Sequence, residues 1–361
     1  MIIPLELWRV IAYELQSRKD RQSLMNLCLT SVALDDNIRP ILYNEVELPT
    51  VPKIALFCRP KVDFATKLGP CIQTLTIGGY QSYRQWHWVD VSYLTESLSL
   101  VLKCMPNLRN LTIAITAINF TECFGPLSIK PPFSLQKLVF MSTGTLTFYQ
   151  FLKSQPSIKE LHIGSRYTLG EFEFSDRLSQ QPDLLPNLTS IAAPIIILKG
   201  AVPGRPISRV AIVAELLDWT DPGMTIIAPG TWEALLCGSR AAITTIGLYQ
   251  SPHSADPWDQ LVPALKQFGV YKTLRSVHIM EALEPPVTDL SKQEALSQRV
   301  EQMQILRGFD RLESVEFGEM PYLPSPMSDV TRWLGGMDNL AAWQAHVPSL
   351  KQVKMYGINI S

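Results

Sequence analysis

Residues 105–113 read Met105-Pro106-Asn107-Leu108-Arg109-Asn110-Leu111-Thr112-Ile113 and contain one copy of the unit from which the fold can be inferred. Apolar residues at Leu108, Leu111 and Ile113 give the pattern apolar, two variable, apolar, one variable, apolar. The last two apolar residues flank a polar one, as in a short strand with one buried face. The Pro-Asn pair before them predicts a turn that leads into the strand.

The same pattern recurs through most of the chain, at a mean spacing of roughly 31 residues. This spacing is slightly above the about 20–29 residues of ordinary leucine-rich repeats. A proline and a polar residue again precede the pattern at 155–158, 185–188 and 347–350. The ten copies are Ile72-Leu75-Ile77, Leu108-Leu111-Ile113, Leu135-Leu138-Phe140, Ile158-Leu161-Ile163, Leu188-Ile191-Ala193, Ile207-Val210-Ile212, Ile243-Ile246-Leu248, Leu274-Val277-Ile279, Leu312-Val315-Phe317 and Leu350-Val353-Met355.

Stretches with helical periodicity separate several of these strands. Apolar residues recur at three- and four-residue steps over 94–102, 232–236, 261–268 and 293–309, and a shorter stripe spans 330–334. Strands and helices that alternate in this way form parallel strands side by side, with the helices on the opposite surface. The pattern resembles irregular leucine-rich-repeat domains. The resemblance predicts an α/β solenoid of about ten irregular repeats over residues 71–361, with parallel strands on its concave face.

An ordinary open α/β sheet is the alternative architecture, but ten consecutive strands exceed what open sheets commonly hold. The unit at Ile191-Ala192-Ala193-Pro194 is weak, because proline cannot donate to a strand ladder. We therefore expect the repeat to be broken at this unit.

The first 48 residues have a different, helical pattern. Pro4 suits the first turn of a helix, and apolar residues follow it at helical steps as far as Leu15. Asp20 is a candidate N-cap for a second amphipathic helix, and a third short helix contains Pro40. Three helices in under 50 residues form a small core that gains stability by burying its exposed apolar stripe against a partner or the following domain.

This segment resembles an F-box. The resemblance rests on Pro4-Leu5-Glu6-Leu7-Trp8, on 24–30 and on Arg39-Pro40-Ile41-Leu42-Tyr43 with Val46 and Leu48. It implies an F-box over residues 1–48, followed by a connecting segment at 49–70. In F-box proteins the matching residues bind a Skp-type adaptor of a cullin-RING ubiquitin ligase. The residues that match are Pro4, Leu5, Leu7, Ile11, Leu15, Leu24 and Leu27.

The strands also predict a second surface, because side chains that alternate with the buried apolar residues face the concave side. These side chains are mixed in charge, and many are small or apolar. Such a surface suits a protein partner better than a highly charged ligand, although it is equally compatible with an inert face. The candidate substrate-binding residues are His162, His278, Met280, Glu316, Lys354 and Tyr356.

Composition and motifs exclude several other classes of function. The net charge of −1, with 46% hydrophobic and 18% charged residues, argues for a globular chain that binds neither nucleic acid nor an acidic membrane surface. The N-terminal stretch lacks the features of a signal peptide, and no apolar run is long enough for a membrane span. The six cysteines are scattered singly, which predicts reduced thiols and no metal site. No nucleotide-binding or hydrolase motif occurs, so we expect no cofactor and no catalysis.

These observations predict a non-catalytic substrate receptor of an SCF-type ubiquitin ligase, located in the cytoplasm or nucleus. Its head would bind the adaptor, and its repeats would bind a protein substrate. One alternative is a leucine-rich-repeat interaction scaffold that has no role in ubiquitin transfer. The other is an enzyme whose site lies in the loop containing His253, Ser254 and Asp256, which are residue types of a hydrolytic triad.

Overall fold

The computed structural model describes residues 4–59, 64–78, 92–114, 123–125, 130–140, 146–164, 170–213, 229–250, 258–281, 306–319, 339–355 and 358–360. The chain divides into two compact units. The first unit contains Met1–Val139 and Gln150–Ile158, and the second contains Phe140–Tyr149 and Lys159–Ser361.

Helices and strands alternate along the chain, and together they make a mixed α/β fold. The α-helices of the described residues are α1 Leu5–Ser17, α2 Arg21–Thr30, α3 Val32–Leu42, α4 Val51–Cys58, α5 Ser92–Leu102, α6 Leu146–Lys153, α7 Gly170–Gln180, α8 Ile195–Ala201, α9 Pro229–Cys237, α10 Trp258–Gln267 and α11 Leu340–Gln344. The strands are β1 Glu45–Leu48, β2 Thr74–Ile77, β3 Asn110–Ile113, β4 Lys137–Phe140, β5 Glu160–Ile163, β6 Ser190–Ala193, β7 Arg209–Val213, β8 Thr245–Gln250, β9 Ser276–Glu281, β10 Ser314–Glu319, β11 Gln352–Met355 and β12 Ile358–Ile360.

The three helices α1 to α3 form the head, which belongs to the first unit. Its core consists of Ala12, Leu24, Ile38 and Ile41. Asp20 caps α2 by accepting a hydrogen bond from the Ser23 amide at 3.1 Å. The predicted N-cap of α2 is therefore confirmed, and Pro40 is accommodated in the last turn of α3.

The head leads directly into the first strand of the sheet. β1 pairs in parallel with β2, with Val46 opposite Leu75 and Leu48 opposite Ile77. Tyr43, Val46 and Leu48 have the same spacing as the apolar residues of the repeats. The segment that resembles the end of an F-box thus contributes a strand as well.

The strands of the first unit follow one another in chain order. β2 pairs in parallel with both β1 and β3. The buried side chain of Gln155 accepts a hydrogen bond from the Leu135 amide at 2.7 Å and donates to the Phe133 carbonyl at 3.2 Å. These contacts satisfy the backbone of the segment that enters β4, where a bare loop would leave buried polar groups unpaired.

In the second unit, strands β5 to β11 also follow chain order and are parallel. β12 pairs antiparallel with β11. Parallel strands in chain order, joined by helical segments, are the arrangement of a solenoid-like α/β fold.

All ten strands that the repeat pattern predicts are present, as β2 to β11. Every apolar residue of the ten copies is buried, and none exposes more than 5% of its surface. The predicted helices at 94–102, 232–236 and 261–268 correspond to α5, α9 and α10. The helices predicted at 293–309 and 330–334 lie outside the described residues, except for 306–309, which do not form a regular helix.

The expectation of a broken repeat at Ile191–Pro194 was wrong. β6 is intact and pairs with β5 and β7. Pro194 follows the last residue of the strand, so its missing amide falls outside the ladder. Its φ is −54°, and its carbonyl accepts from the amides of Ile197 and Leu198 at 3.0 Å. Proline therefore ends the strand and begins α8.

Candidate functional site

The first candidate surface lies on helix α1 of the head. Pro4, Leu5, Leu7 and Ile11 are exposed, and Leu7 leaves 53% of its surface accessible. The side chains of a helix at three- and four-residue steps share one face. Leu7 and Ile11 therefore present neighbouring apolar groups to the outside.

Three of the residues matched to the F-box are placed differently. Leu24 is only 1% exposed and lies in the core of the head, while Leu15 and Leu27 are half-buried against that core. Their side chains pack the three helices together. An adaptor that docks on the folded head would therefore meet mainly the residues of α1.

The head exposes further apolar side chains that the F-box match did not include. Leu29, near the end of α2, is 83% exposed, and Val32, at the start of α3, is also exposed. We call these residues, together with those of α1, the head surface. It comprises Leu5, Leu7, Val10, Ile11, Tyr13, Met25, Leu29 and Val32.

Polar contacts hold α1 in place and border its apolar residues. The Arg9 guanidinium donates to the Asn37 side-chain oxygen at 2.7 Å and links α1 to α3. The Arg18 guanidinium pairs with Glu14 one turn away, also at 2.7 Å. Both Arg18 and Glu14 are exposed, so this pair adds little stability but makes the border of the head surface polar.

The second candidate surface lies on the strands of the second unit. The side chains that alternate with the buried apolar residues there bring ionisable groups from several strands together. We call this surface the strand face, and its residues are Glu160, His162, Arg209, Tyr249, Ser276, His278, Met280, Glu316 and Lys354.

Three of the predicted substrate-binding residues meet on adjacent strands. His278 of β9 lies opposite Glu316 of β10, which lies opposite Lys354 of β11. Lys354 Nζ donates to Glu316 Oε1 at 2.8 Å, and His278 Nδ1 is 3.6 Å from Glu316 Oε2. The carboxylate is thus shared between an ammonium and an imidazole.

His278 is also hydrogen-bonded within its own strand. Its Nε2 lies 2.7 Å from Ser276 Oγ. Burial lowers the pKa of His278, and the nearby cations Arg209 and Lys354 act in the same direction, while the carboxylate of Glu316 opposes them. The imidazole is therefore neutral at neutral pH.

His162 occupies a different environment from His278. Its ring is buried and stacks on the Tyr249 ring, with the ring centroids 5.4 Å apart. The two rings come from strands separated by β6 and β7, whose facing residues Ala192 and Ala211 are small. Burial raises the pKa of Tyr249, and the carboxylates of Glu316 and Glu160 add to this effect.

The remaining candidates lie near this cluster or outside the described residues. Met280 is half-buried, and a Cβ atom on Gly318 of the neighbouring strand would be 3.1 Å from its sulfur. Tyr356 lies outside the described residues, as do His253, Ser254 and Asp256 of the alternative enzyme site.

Sequence reasoning missed Glu160, Arg209, Tyr249 and Ser276. The sequence prediction drew mainly on residues between the second and third apolar positions of each copy. The residue just before the second apolar position faces the same side, because alternate residues of a strand share a face. Arg209 and Glu160 occupy this position and form an ion pair at 2.9 Å.

The described residues offer no evident metal or membrane site. They contain no group of three or more His, Cys, Asp or Glu side chains that could hold a metal ion. Within the same residues, no helix has the length and apolar character needed to cross a bilayer. All six cysteines are free thiols, and burial raises the pKa of Cys58 to about 11.

No protein-family model matches the sequence, and no curated protein matches it significantly. Among solved structures, a Bacteroides fragilis protein determined as a structural-genomics target is similar to this chain, with 13% identity and a TM-score of 0.36. The match covers 84% of this chain and 69% of the bacterial one.

Proposed function

We propose that this chain is the substrate-recognition subunit of an SCF-type ubiquitin ligase. In this role the head binds a Skp-type adaptor, and the strand face binds a protein substrate that the recruited ligase modifies. The role requires a cytoplasmic or nuclear location. The observation that carries the proposal is the exposure of Leu5, Leu7 and Ile11 on α1, to which the F-box resemblance assigns adaptor contacts.

The energetics of the head are consistent with a docking role. Its core does not include Leu5, Leu7 or Ile11, so these exposed side chains of α1 are available to a partner. Burying them in an interface would contribute about 25 cal/mol per Å² of apolar surface. Contiguous exposed apolar residues with a polar border are typical of protein interaction sites.

The strand face has the composition of a protein-binding surface. Tyr249 and Met280 supply aromatic and flexible apolar groups, and arginine is also favoured at protein interfaces. The charged residues form the pairs Glu160–Arg209 and Glu316–Lys354, so the face has no strong excess of either sign. These features support a protein substrate more than a polyanion.

The adaptor contact is tested by co-expressing the full chain with a Skp-type adaptor. Truncating interface anchors typically costs about 2 kcal/mol or more. We expect the double variant Leu7→Ala with Ile11→Ala to lose at least about 30-fold in affinity. Leu100→Ala is the matched control, because Leu100 is 58% exposed but lies on α5 outside the head. Equal affinity of the double variant and the control would contradict the proposal.

A second candidate function is a repeat scaffold whose head only covers the end of the sheet. The pairing of β1 with β2 favours it, as does the hydrogen bond from the Arg21 guanidinium to the Glu45 carbonyl at 3.0 Å. In this case the wild-type chain binds no adaptor from the start. If no adaptor co-purifies with the wild-type chain, the scaffold function is therefore favoured over the ligase function.

A further inference from the structure

Three side chains of the strand face are arranged like a nucleophile, a base and an orienting acid. Ser276 Oγ lies 2.7 Å from His278 Nε2, and Glu316 Oε2 lies 3.6 Å from His278 Nδ1. Nε2 thus has a hydroxyl at hydrogen-bond distance, and the carboxylate lies just beyond hydrogen-bond distance of Nδ1, from which it orients the ring only if the contact tightens when a substrate binds. In the tautomer that carries its proton on Nδ1, the Nδ1–H group points toward the carboxylate. Nε2 can then accept a hydrogen bond from the serine hydroxyl.

The fold explains why these groups meet. Ser276 and His278 are two residues apart in β9, so their side chains point to the same face. Glu316 lies opposite His278 in the parallel register of β9 and β10. Lys354 in the next strand holds one oxygen of the Glu316 carboxylate at 2.8 Å, while the other oxygen is the one nearer Nδ1. All of these residues lie on strands, which hold a site more rigidly than loops do.

The arrangement is both accessible and in the right protonation state. Ser276, His278 and Glu316 are half-buried, so a small molecule in solution can reach them. Burial lowers the pKa of His278, which keeps the imidazole neutral and able to accept a proton. A serine hydroxyl beside a neutral imidazole is the pair that transfers an acyl group in many hydrolases.

We propose that Ser276 is a nucleophile activated by His278, with Glu316 as a positioning residue, and that the strand face hydrolyses small activated carboxylic esters. Ser276 Oγ attacks the acyl carbon while its proton moves to His278 Nε2. The leaving alcohol takes that proton, and an acyl-serine forms. Water then attacks the acyl-serine with His278 again as base, which releases the acid and restores Ser276. The net reaction converts an ester and water to an acid and an alcohol.

The strand environment determines which esters are suitable. The backbone amides of a parallel ladder are used in strand pairing, so they do not supply an oxyanion site. Thr245 and Ser314 lie opposite Ser276 in the two neighbouring strands and provide hydroxyl donors on either side. Hydroxyl donors from side chains are less preorganised than backbone amides. We therefore expect activity toward esters with good leaving groups, such as p-nitrophenyl acetate.

The proposal is tested with a fluorophosphonate probe on the full chain without an adaptor. Reaction forms an Oγ–P bond, breaks the P–F bond, releases fluoride and transfers the hydroxyl proton to His278. We expect the label on Ser276 by peptide mass spectrometry, with no label there in Ser276→Ala. His278→Gln should slow labelling by about 100-fold or more, the usual contribution of general-base catalysis.

Ser190→Ala is the matched control, because it removes a strand hydroxyl at the same register level of β6, three strands away from Ser276. We expect it to be labelled at Ser276 at the wild-type rate. Mapping the label on the wild-type chain does not depend on the folding of any variant. Labelling of Ser276 no faster than that of Ser314 would overturn the proposal.

The positioning role of Glu316 has its own readout. Its carboxylate favours the charged imidazole and so raises the pKa of His278. In Glu316→Gln the pH at which labelling reaches half its maximum should therefore move to a lower value. A purely structural effect would lower the rate at every pH without moving this midpoint. An unchanged midpoint would remove Glu316 from the mechanism. Because the assay needs no adaptor, its result is independent of the ligase proposal.

Discussion

Arg205 donates from Nη2 to the carbonyl oxygen of Leu178 at 3.0 Å, although its side chain is completely buried. Nη2 also donates to Gln181 O at 2.8 Å, and Nη1 donates to Ala201 O at 2.8 Å. These carbonyls lie at or just after the C-terminal ends of α7 and α8, where helices leave acceptors unsatisfied. One guanidinium therefore caps the C-terminal ends of two helices. Its positive charge also interacts favourably with the dipoles of both helices.

Replacing Arg205 should destabilise the second unit strongly. Arg205→Met removes the charged donor from the Leu184 and Ala201 carbonyls and leaves the Leu178 and Gln181 carbonyls with one backbone donor each, so we expect the free energy of unfolding to fall by about 3–5 kcal/mol. Urea denaturation measures this change. The control is Arg240→Met, because Arg240 is exposed and approaches Asp183 only at 3.9 Å. It should change stability by less than about 0.5 kcal/mol, and similar values for the two variants would contradict this account.

Gly200 marks a close contact between α8 and α7. A Cβ atom at this position would lie 2.6 Å from Ser175 Oγ and nearer still to the Ser175 carbonyl oxygen. The helices would have to separate, and the hydrogen bond from Ser175 Oγ to Ile196 O at 2.6 Å would be disturbed. We expect Gly200→Ala to lower the free energy of unfolding by about 1–3 kcal/mol.

Gly230 provides the comparison, because it also lies in a helix, but a Cβ atom there has no neighbour within 4 Å. Gly230→Ala should leave stability unchanged or raise it by up to about 1 kcal/mol, since alanine favours the helix. The thermal unfolding midpoint should therefore fall in Gly200→Ala and stay the same or rise in Gly230→Ala. A loss of stability in both would show that the effect at Gly200 does not come from the contact with Ser175.

The strands could be predicted from the sequence because each copy of the repeat carries its own signal. Three apolar residues at fixed spacing are enough to bury one face, and the structure buries all of them. The sequence does not single out β1, because Tyr43, Val46 and Leu48 have the repeat spacing but directly follow the helical pattern of the head. β12 has only three residues and pairs antiparallel, so the repeat pattern has nothing to detect there.

The candidate sites were less predictable, because periodicity gives the face of a residue but not its neighbours. His278 and Glu316 meet because the register aligns β9 with β10. His162 and Tyr249 meet because Ala192 and Ala211 leave space for two rings to stack across intervening strands. Neither the register nor the reach of a side chain can be read from a single copy of the repeat.

In helix α2 of the head, too, the sequence does not show which neighbours each side chain has. The buried and exposed leucines of this helix allow a direct test of how the head packs. Apolar residues lie on several sides of this helix, so the spacing does not show which of them face the core. In the structure Leu24 is 1% exposed and Leu29 is 83% exposed. Leu24→Ala should cost about 2–5 kcal/mol, as for other buried leucines, whereas Leu29→Ala should cost less than about 0.5 kcal/mol. Equal losses in urea denaturation would contradict the packing of the head.

The environment of His278 predicts a dependence of stability on pH. Burial lowers the pKa of His278 below its ordinary value of 6.5. In acid the unfolded chain therefore takes up a proton that the folded chain resists, and folding is disfavoured. The contribution to stability is complete above pH 6.5 and is lost as the pH falls from there through the lower pKa of the folded state.

We expect His278→Gln to lose less stability than the wild type between pH 7.5 and about 5, because glutamine does not titrate and an imidazole of ordinary pKa near 6.5 does. The measurement is the free energy of unfolding by urea at several pH values. The difference between the two chains above pH 7.5 serves as the internal reference, since the imidazole is neutral there in both the folded and the unfolded state. If the difference in unfolding free energy between the wild type and His278→Gln stays constant from pH 7.5 to 5, His278 has the same pKa in the folded and unfolded states. Burial of the ring in the strand face would then have no effect on its pKa.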